Sequence, residues 1–254
     1  MKRPPVVLDD NLEALYEYYK QREARPRFTN FAHNMAARIL RPHVVMDDVT
    51  RKQIDEHLQQ RGQVILAANH RSWYDPFVVA AMPPTAPELE PLSNRTFIPG
   101  MQRLFRNPAV RTFVENLGSV PVFREKDVAG NEGDLRKKAT ALMIDTCIDR
   151  MQKGYNLAMF PEGGINSTAP HEMRPLKNGI ARIAGSVSLS TDLLVIPVGI
   201  DYGSPDTEHI VGATTFVGTP LEGPFETDHF MTRLVEAMDE TLEAARVVHL
   251  ERTQ

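Results

Sequence analysis

The sequence predicts an α/β fold in which a central mixed sheet is flanked by helices and preceded by a helical segment. From Gln63 onward, short continuous apolar runs typical of buried strands alternate with longer stretches of helical periodicity. Before that point only helical patterns are found. A chain of 254 residues is long enough for one large domain with an added segment. We therefore predict a helical segment at residues 1–60 and one α/β domain at residues 61–254.

The N-terminal segment contains three helical patterns. The first, DDNLEALYEYYKQRE, has acids in its first turn and basic residues in its last, as the helix dipole favours. The second lies between Pro26 and Pro42. Its apolar residues recur at helical spacing and form one predicted face, made of Phe28, Phe31, Ala32, Met35, Ala36, Ile39 and Leu40. That face suits two alternatives, packing on the main domain or lying in a membrane interface. The third pattern, VTRKQIDEHLQQRG, ends at Gly62.

The α/β domain follows as an alternation of strands and helices. VILAA is a predicted strand, and DPFVVAAM begins a helix with Asp75 as N-cap and Pro76 at the first helical position. PPTAPELEP is a predicted loop, and an apolar, basic stretch follows it at residues 97–117. The remaining predicted elements are a strand at GSVPVFRE, a helix at LRKKATALMIDTCIDRMQKG, a strand at NLAMF, a helix at LKNGIARIAGSVS, a strand at LLVIPVGID and a final helix at residues 227–247.

Composition limits the compartment and the class of protein. Hydrophobic residues make up 42% and charged residues 24%, which is typical of a globular protein. The single cysteine, Cys147, excludes an internal disulfide framework and fits a reducing compartment, where we expect it to fill apolar space in a helix. No signal peptide and no spanning apolar run is found. We expect a cytoplasmic protein, with peripheral contact at the inner face of the membrane as a further expectation.

The charge is unevenly distributed along the chain. The net charge is −4, yet residues 1–46 hold eight Lys/Arg against five Asp/Glu. A second basic island at residues 95–114 has four arginines and no acid. Neither region has the Lys/Arg density or the interleaved aromatics of a nucleic-acid-binding face, so we predict no nucleic-acid partner. Anionic lipid or a phosphorylated small molecule suits this charge.

The octapeptide NHRSWYDP, at residues 69–76, places His70 just after a predicted strand and Asp75 at the next helix start. Five residues in a tight turn allow the carboxylate to reach one imidazole nitrogen, fix the tautomer and stabilise imidazolium. The other nitrogen could then remove a proton from a substrate hydroxyl. The alternative is an ordinary helix start beside a loop histidine. GxGxxG, GxxxxGK[ST], GxSxG and HExxH are all absent, which weakens nucleotide-binding, serine-hydrolase and zinc-protease assignments.

Two further stretches place polar side chains at strand ends, where α/β proteins build their sites. FPEGGINS presents Glu162 among glycines after the strand NLAMF, and GSVPVFR ends in Arg124. Taken alone, each suits a solvated surface side chain equally well.

In order, NHRSWYD, GSVPVFR, FPEGG and VIPVG resemble the four sequence blocks of the glycerolipid acyltransferases, over roughly residues 64–200. This family includes bacterial 1-acylglycerol-3-phosphate and glycerol-3-phosphate acyltransferases. The resemblance implies a glycerol-3-phosphate acyltransferase-like fold and acyl transfer, from acyl-CoA or acyl-carrier protein, to a hydroxyl of a glycerophospholipid precursor. The most favoured acceptor is 1-acylglycerol-3-phosphate. No cofactor and no metal is implied.

The resemblance also implies residue roles. His70 is the expected general base and Asp75 its partner. Expected substrate-binding residues are Asn69, Ser72, Arg124, Glu162, Gly163 and Lys177. The arginine of the second block, Arg124 here, is associated with the acceptor phosphate. Block matches without a further assigned role are Gly118, Phe160, Pro161, Gly179 and Pro197.

One position departs from the family pattern. The third block usually continues Gly-Thr-Arg, whereas Gly163 is here followed by Gly164 and Ile165. Either Arg124, Arg174 or Lys177 substitutes for the missing arginine, or the acceptor is not a simple glycerophosphate. Glycerol-3-phosphate, another lysolipid, thioester hydrolysis and lipid binding without catalysis are therefore kept as alternatives.

Overall fold

The structure, a computed structural model, describes residues 3–124, 133–169, 171–203, 211–225 and 227–253. The helices are α1 Leu12–Gln21, α2 Pro26–Leu40, α3 Asp48–Gln59, α4 Asp75–Thr85, α5 Pro108–Asn116, α6 Gly133–Gln152, α7 Gly179–Val187 and α8 Thr227–Thr253. The strands are β1 His43–Val45, β2 Gln63–Ala68, β3 Thr96–Phe97, β4 Gly100–Met101, β5 Pro121–Val122, β6 Asn156–Met159, β7 Leu193–Asp201 and β8 Thr214–Val217. Short 3-10 turns follow α4 and β4, at Pro87–Leu92 and Gln102–Phe105.

Six strands form one mixed sheet in the order β1-β8-β7-β2-β6-β3. All neighbours are parallel except β7 and β8, which pair antiparallel. In the register, Ala67 of β2 lies beside Met159 of β6 and Pro197 of β7. The loops after β2 and β6 therefore leave the same edge of the sheet, where parallel α/β proteins place their sites. Strands β4 and β5 form a separate parallel pair.

The sheet separates two apolar cores, and alternate residues of β2 face opposite sides. Ile65 and Ala67 join the core that includes α1, α6, α7 and part of α8, whereas Val64, Leu66 and Ala68 join the core under α4. This alternation is the expected consequence of a strand buried on both faces. The predicted fold class, a central mixed sheet flanked by helices, is confirmed.

The first helix is packed firmly onto the α/β domain. Leu12, Leu15, Tyr16 and Tyr19 of α1 are buried in the core that α6 shares. The guanidinium of Arg150, on α6, donates to the carbonyl oxygens of Tyr19 at 2.6 Å and Arg22 at 2.7 Å, and also to Gly118 O. The proposed division at residues 60 and 61 stays a prediction.

The second helix presents only part of its predicted apolar face to the protein. Thr29, His33 and Leu40 are buried, and α2 packs on α4. The outward stripe consists of Phe31, Met35 and Ile39, which are 62%, 45% and 58% exposed. Both predicted alternatives for the face are thus compatible with the packing, because one side of α2 is covered and the other is not.

Some elements differ from the predictions. The predicted loop PPTAPELEP begins inside α4, which includes Pro83 and Pro84 and ends at Thr85. Strands β1 and β8 were not predicted, because β1 has three residues and β8 is the threonine-rich TTFV. The strand predicted at GSVPVFRE is reduced to Pro121–Val122, and its Glu125 lies outside the described residues.

Candidate active site

The loop after β2 is fixed to β7 by the first of the predicted site residues. The side chain of Asn69 accepts Ile200 N–H at 2.6 Å and donates to Ile200 O at 3.1 Å. It thus continues the β2–β7 ladder by one side-chain pair after β2 ends. Asn69 is buried and does not line the cavity described below, so the contacts in the structure are those of a scaffold residue.

His70 and Asp75 are hydrogen-bonded, as their spacing predicts. His70 Nδ1 lies 2.7 Å from Asp75 Oδ2, and Asp75 is fully buried. Because an ionised carboxylate only accepts, Nδ1 carries the proton and Nε2 keeps its lone pair. Within the described part of the chain, Nε2 has no hydrogen-bond partner. The ring of His70 stacks on Phe160 with centroids 4.3 Å apart and planes inclined by 22°, which holds the imidazole in place.

Asp75 is the first residue of α4 rather than its N-cap, which is Tyr74. Its carboxylate turns back to the preceding loop, where Oδ2 also accepts Arg71 N–H at 2.6 Å and Ser72 N–H at 2.8 Å. The prediction of Asp75 as N-cap is therefore wrong, because its side chain accepts N–H groups from residues before the helix and not from the first turn. The predicted site residue Ser72 contributes through its backbone, and three donors fix the oxygen that faces His70.

Glu162 connects the third block to the first. Its Oε1 accepts His70 N–H at 2.6 Å and its Oε2 accepts Arg174 N–H at 3.3 Å. Asn166 N–H donates to His70 O at 2.6 Å, so both backbone groups of His70 are bonded to the loop after β6. Burial raises the pKa of the Glu162 carboxyl, although the His70 and Arg174 N–H groups oppose the shift. The carboxylate is aimed at the backbone, not at the cavity.

His70 lines a cavity of about 430 Å³ between the sheet edge, α6 and α7. Much of its lining is apolar and is made of Pro99, Met101, Val122, Met143, Ile144, Cys147, Met159 and Ile183. Cys147 is fully buried there, and burial raises the pKa of its thiol to about 12. A thiol that stays protonated at neutral pH is a poor nucleophile, which agrees with its predicted role as filler.

The lining of the same cavity also includes cationic side chains. Arg124 and Lys177, both predicted as site residues, line it together with Arg182, which was not predicted. Arg182 lies in the first turn of α7 and is exposed. No sequence signal distinguishes it from an ordinary surface arginine. Gly163 lies against Lys177 with φ +72°, a conformation that favours glycine.

The departure at Ile165 has a specific structural setting. Arg174 Nη1 donates to Ile165 O at 3.2 Å, so the guanidinium lies at the backbone of the position where the family usually has arginine. Arg174 does not line the cavity of His70 but a smaller neighbouring one, formed by residues 165–169 and 172–175. Of the three proposed substitutes, the structure brings Arg124 and Lys177 to His70 and not Arg174.

The described ranges of the chain contain no group of three or more His, Cys, Asp or Glu side chains placed to hold a metal ion. They also contain no helix long and apolar enough to cross a membrane. The expectation that no metal or cofactor is needed stays a prediction.

Comparison with known families gives a match over more than half of the sequence. The model of the acyltransferase family matches residues 49–201, more than half of the chain, and includes all four blocks. No curated protein matches the chain. The matched range contains β2, β6 and β7, and thus the whole edge at which His70, Asp75 and Glu162 meet. The chain belongs to the acyltransferase family, that of the glycerolipid acyltransferases.

Proposed function

We propose that the protein transfers a fatty acyl group from acyl-CoA, or from acyl-carrier protein, to a hydroxyl of a glycerophospholipid precursor in phospholipid biosynthesis. The favoured acceptor is 1-acylglycerol-3-phosphate. The observation that carries the proposal is the 2.7 Å hydrogen bond of His70 Nδ1 to buried Asp75, with the imidazole at a cavity whose lining combines apolar side chains with three cationic ones. Family membership supports acyl transfer to a lipid, and the cavity supports this acceptor.

The chemistry follows from the orientation of the imidazole. His70 Nε2 takes the proton of the acceptor hydroxyl as its oxygen forms a bond to the thioester carbonyl carbon. Asp75 stabilises the imidazolium and keeps its tautomer. The tetrahedral intermediate then collapses, the carbon–sulfur bond breaks, and the thiolate takes the proton from His70. Each cycle consumes one thioester and one alcohol and yields one ester and one thiol, with no acylated residue.

The lining of the cavity suits the two ends of the substrates. Burial of a fatty acyl chain, or of the chain of a lysolipid, against the methionines and other apolar lining residues is favourable. Arg124, Lys177 and Arg182 in the same lining attract the phosphate of the acceptor. We assign substrate phosphate to these cations, and we assign Glu162, Asn69 and Ser72 to positioning His70 and Asp75.

Peripheral contact with the membrane is part of the proposal, at the inner face of the cytoplasmic membrane. The outward stripe of α2 is exposed, and Trp73, Tyr74 and Phe77 at the start of α4 are also exposed. Arg103 lies over the Trp73 ring, 4.5 Å from its centroid, and Arg38 and Arg41 border the stripe. Exposed aromatics with adjacent arginines suit an interface with anionic headgroups.

The test measures thiol release from acyl-CoA in the presence of 1-acylglycerol-3-phosphate. Wild-type protein is expected to release CoA and form a diacyl product, and His70→Ala to lose about 10²–10⁴-fold in kcat. Asp75→Asn is expected to lose activity without unfolding. His229→Ala, an exposed histidine on α8, is the matched control and should keep full activity.

The alternatives give different results in the same assay. Turnover with glycerol-3-phosphate or another lysolipid alone would change the acceptor and keep the reaction. Release of CoA that does not depend on an added alcohol would indicate a thioesterase. Lipid binding with equal, negligible release by wild type and His70→Ala would overturn the proposed catalysis and leave a lipid-binding protein.

A further inference from the structure

Tyr202, which immediately follows β7, is bonded to the partner of the proposed base. Its hydroxyl donates to Asp75 Oδ1 at 2.6 Å, and the residue is 4% exposed. Within the described part of the chain it is the donor to Oδ1, whereas the three N–H donors all reach Oδ2. Hydrogen bonds to a buried carboxylate are about twice as strong as neutral ones. Each carboxylate oxygen of Asp75 therefore has its own hydrogen-bond donors.

We propose that Tyr202 is a positioning residue that fixes the rotation of the Asp75 carboxylate and sets the pH range in which His70 acts as base. The proposal rests on the proposed function. Tyr202 does not line the cavity, so it acts through Asp75 and not on substrate. Without the hydroxyl, Oδ1 is a buried acceptor without that donor, and the carboxylate can tilt about its Cβ–Cγ bond while Oδ2 keeps its bond to Nδ1.

The phenol is itself held by a second link between the same two strand ends. The Arg71 guanidinium is paired with Asp201 Oδ1, and both side chains are buried. Asp201 Oδ2 accepts Gly203 N–H at 2.9 Å, and the Arg71 Cζ lies 6.0 Å from the centroid of the Tyr202 ring. Asp201 immediately precedes Tyr202 at the end of β7, and Arg71 immediately follows His70 in the loop after β2. The Tyr202 ring thus lies beside a buried ion pair that joins the loop after β2 to the end of β7.

Several charged groups near His70 and Asp75 also influence the pH dependence of His70. The backbone N–H of His70 faces Glu162, and the cavity beside the imidazole carries Arg124, Lys177 and Arg182. His171 Nδ1 and His249 Nδ1 lie 3.9 and 4.0 Å from the carboxylate oxygens of Asp201, and Arg174 bonds Glu162 through its N–H. Tyr202→Phe leaves all of these groups in place and removes the donor to Oδ1.

The expected pH effect has a definite sign. A donor to Oδ1 withdraws negative charge from the carboxylate that faces the imidazole. Without this donor, Asp75 stabilises imidazolium more strongly, so His70 in the variant becomes protonated, and stops acting as a base, at a higher pH than in wild type. Tyr202→Phe is therefore expected to move the acid limb of the kcat profile upward by roughly half a unit or more. On the high-pH plateau kcat is expected to fall about tenfold, because the lost bond is to a charged group. KM for donor and acceptor should change less than about twofold.

Tyr19→Phe is the matched control, because Tyr19 is fully buried and donates to a carboxylate, Glu115 Oε1, at 2.8 Å on a different part of the protein. Both variants remove one hydroxyl and one hydrogen bond to a buried carboxylate. Equal kcat and equal acid limbs in the two variants would overturn the proposal. Circular dichroism checks that both fold. Placing 3-fluorotyrosine at position 202 strengthens the donor with little change in size, and it should move the acid limb to lower pH.

A second readout does not need turnover. The proton on His70 Nδ1 is followed by NMR in wild type and Tyr202→Phe, with His70→Ala used to assign the resonance. A changed resonance and a titration moved to higher pH in Tyr202→Phe, but not in Tyr19→Phe, support the positioning role even if no acceptor is turned over. Identical spectra and titrations refute it, whereas failure of the CoA assay alone refutes the proposed function.

Discussion

The carboxylate of Glu162 accepts the backbone N–H of His70 at 2.6 Å, so the loop after β6 holds the loop after β2. Its other oxygen accepts Arg174 N–H, and both contacts need an acceptor. The residue is 4% exposed and does not line the cavity. Glutamate at this position therefore holds the backbone of His70, whereas the substrate-binding role predicted for it from the sequence stays a prediction.

We expect Glu162→Gln to lower kcat by about tenfold with little change in KM. The carbonyl oxygen of the amide still accepts one of the two N–H groups, but its NH₂ group cannot accept the other. A buried hydrogen bond that is not made costs about 1–3 kcal/mol. Steady-state kinetics with varied acceptor measure both constants. Glu172→Gln changes an exposed glutamate of the same segment and serves as control. A raised KM with unchanged kcat would instead place the carboxylate on the substrate.

The three cations of the cavity predict a dependence on the acceptor phosphate. Arg182→Ala is expected to raise KM for 1-acylglycerol-3-phosphate by about tenfold or more, because a hydrogen bond to a charged group contributes about 1.5–3 kcal/mol. It should leave KM for the dephosphorylated acceptor, a monoacylglycerol, nearly unchanged. Arg174→Ala is the comparison, since Arg174 bonds Ile165 O outside this cavity. Equal effects of the two substitutions on KM would contradict the assignment of the phosphate to Arg182.

Much of the site could be predicted because its signals are local. His70 and Asp75 lie five residues apart between two buried elements, and a turn of that length brings their side chains together. Buried strands such as VILAA are equally clear, since burial on both faces gives a continuous apolar run. These features depend on neighbours in sequence, so one sequence is enough to reveal them.

The remainder depends on contacts between distant segments. Tyr202 reaches Asp75 across 127 positions, and its own sequence, after the strand LLVIPVGID, looks like an ordinary strand end. Arg182 follows a helix start and reads as a surface arginine until α7 is placed beside the cavity. Strand β8 has only four residues, and it belongs to the sheet because β7 lies beside it. Sequence periodicity carries no information on such pairings.

The outward stripe of α2 predicts binding to anionic membranes. Ile39→Glu is expected to reduce co-flotation with vesicles of phosphatidylglycerol several-fold, because it places a carboxylate in an apolar, arginine-bordered face. Val49→Glu is the control, since Val49 is also exposed but lies on α3. Raised salt should weaken binding of the wild type as the headgroup attraction is screened. Unchanged flotation of Ile39→Glu, with loss in Val49→Glu, would move the interface to another face.

His33, on the covered side of α2, predicts a loss of stability in mild acid. It is 5% exposed, and burial lowers the pKa of its imidazole from 6.5 to about 4. Between these values the unfolded chain binds a proton that the folded protein excludes, so stability falls as pH falls from about 6.5 to about 4. The full difference corresponds to about 3 kcal/mol.

His33→Leu removes this titration and places an apolar side chain at the same buried position of α2. We expect the variant to unfold at higher urea concentration than wild type at pH 5, with a smaller difference at pH 8, where the wild-type imidazole is neutral in both states. His229→Leu, at an exposed position, should leave the pH dependence as it is in wild type. Parallel stability–pH curves for wild type and His33→Leu would show that the imidazole is not buried in the neutral form, and that α2 is less firmly packed on α4 than its contacts indicate.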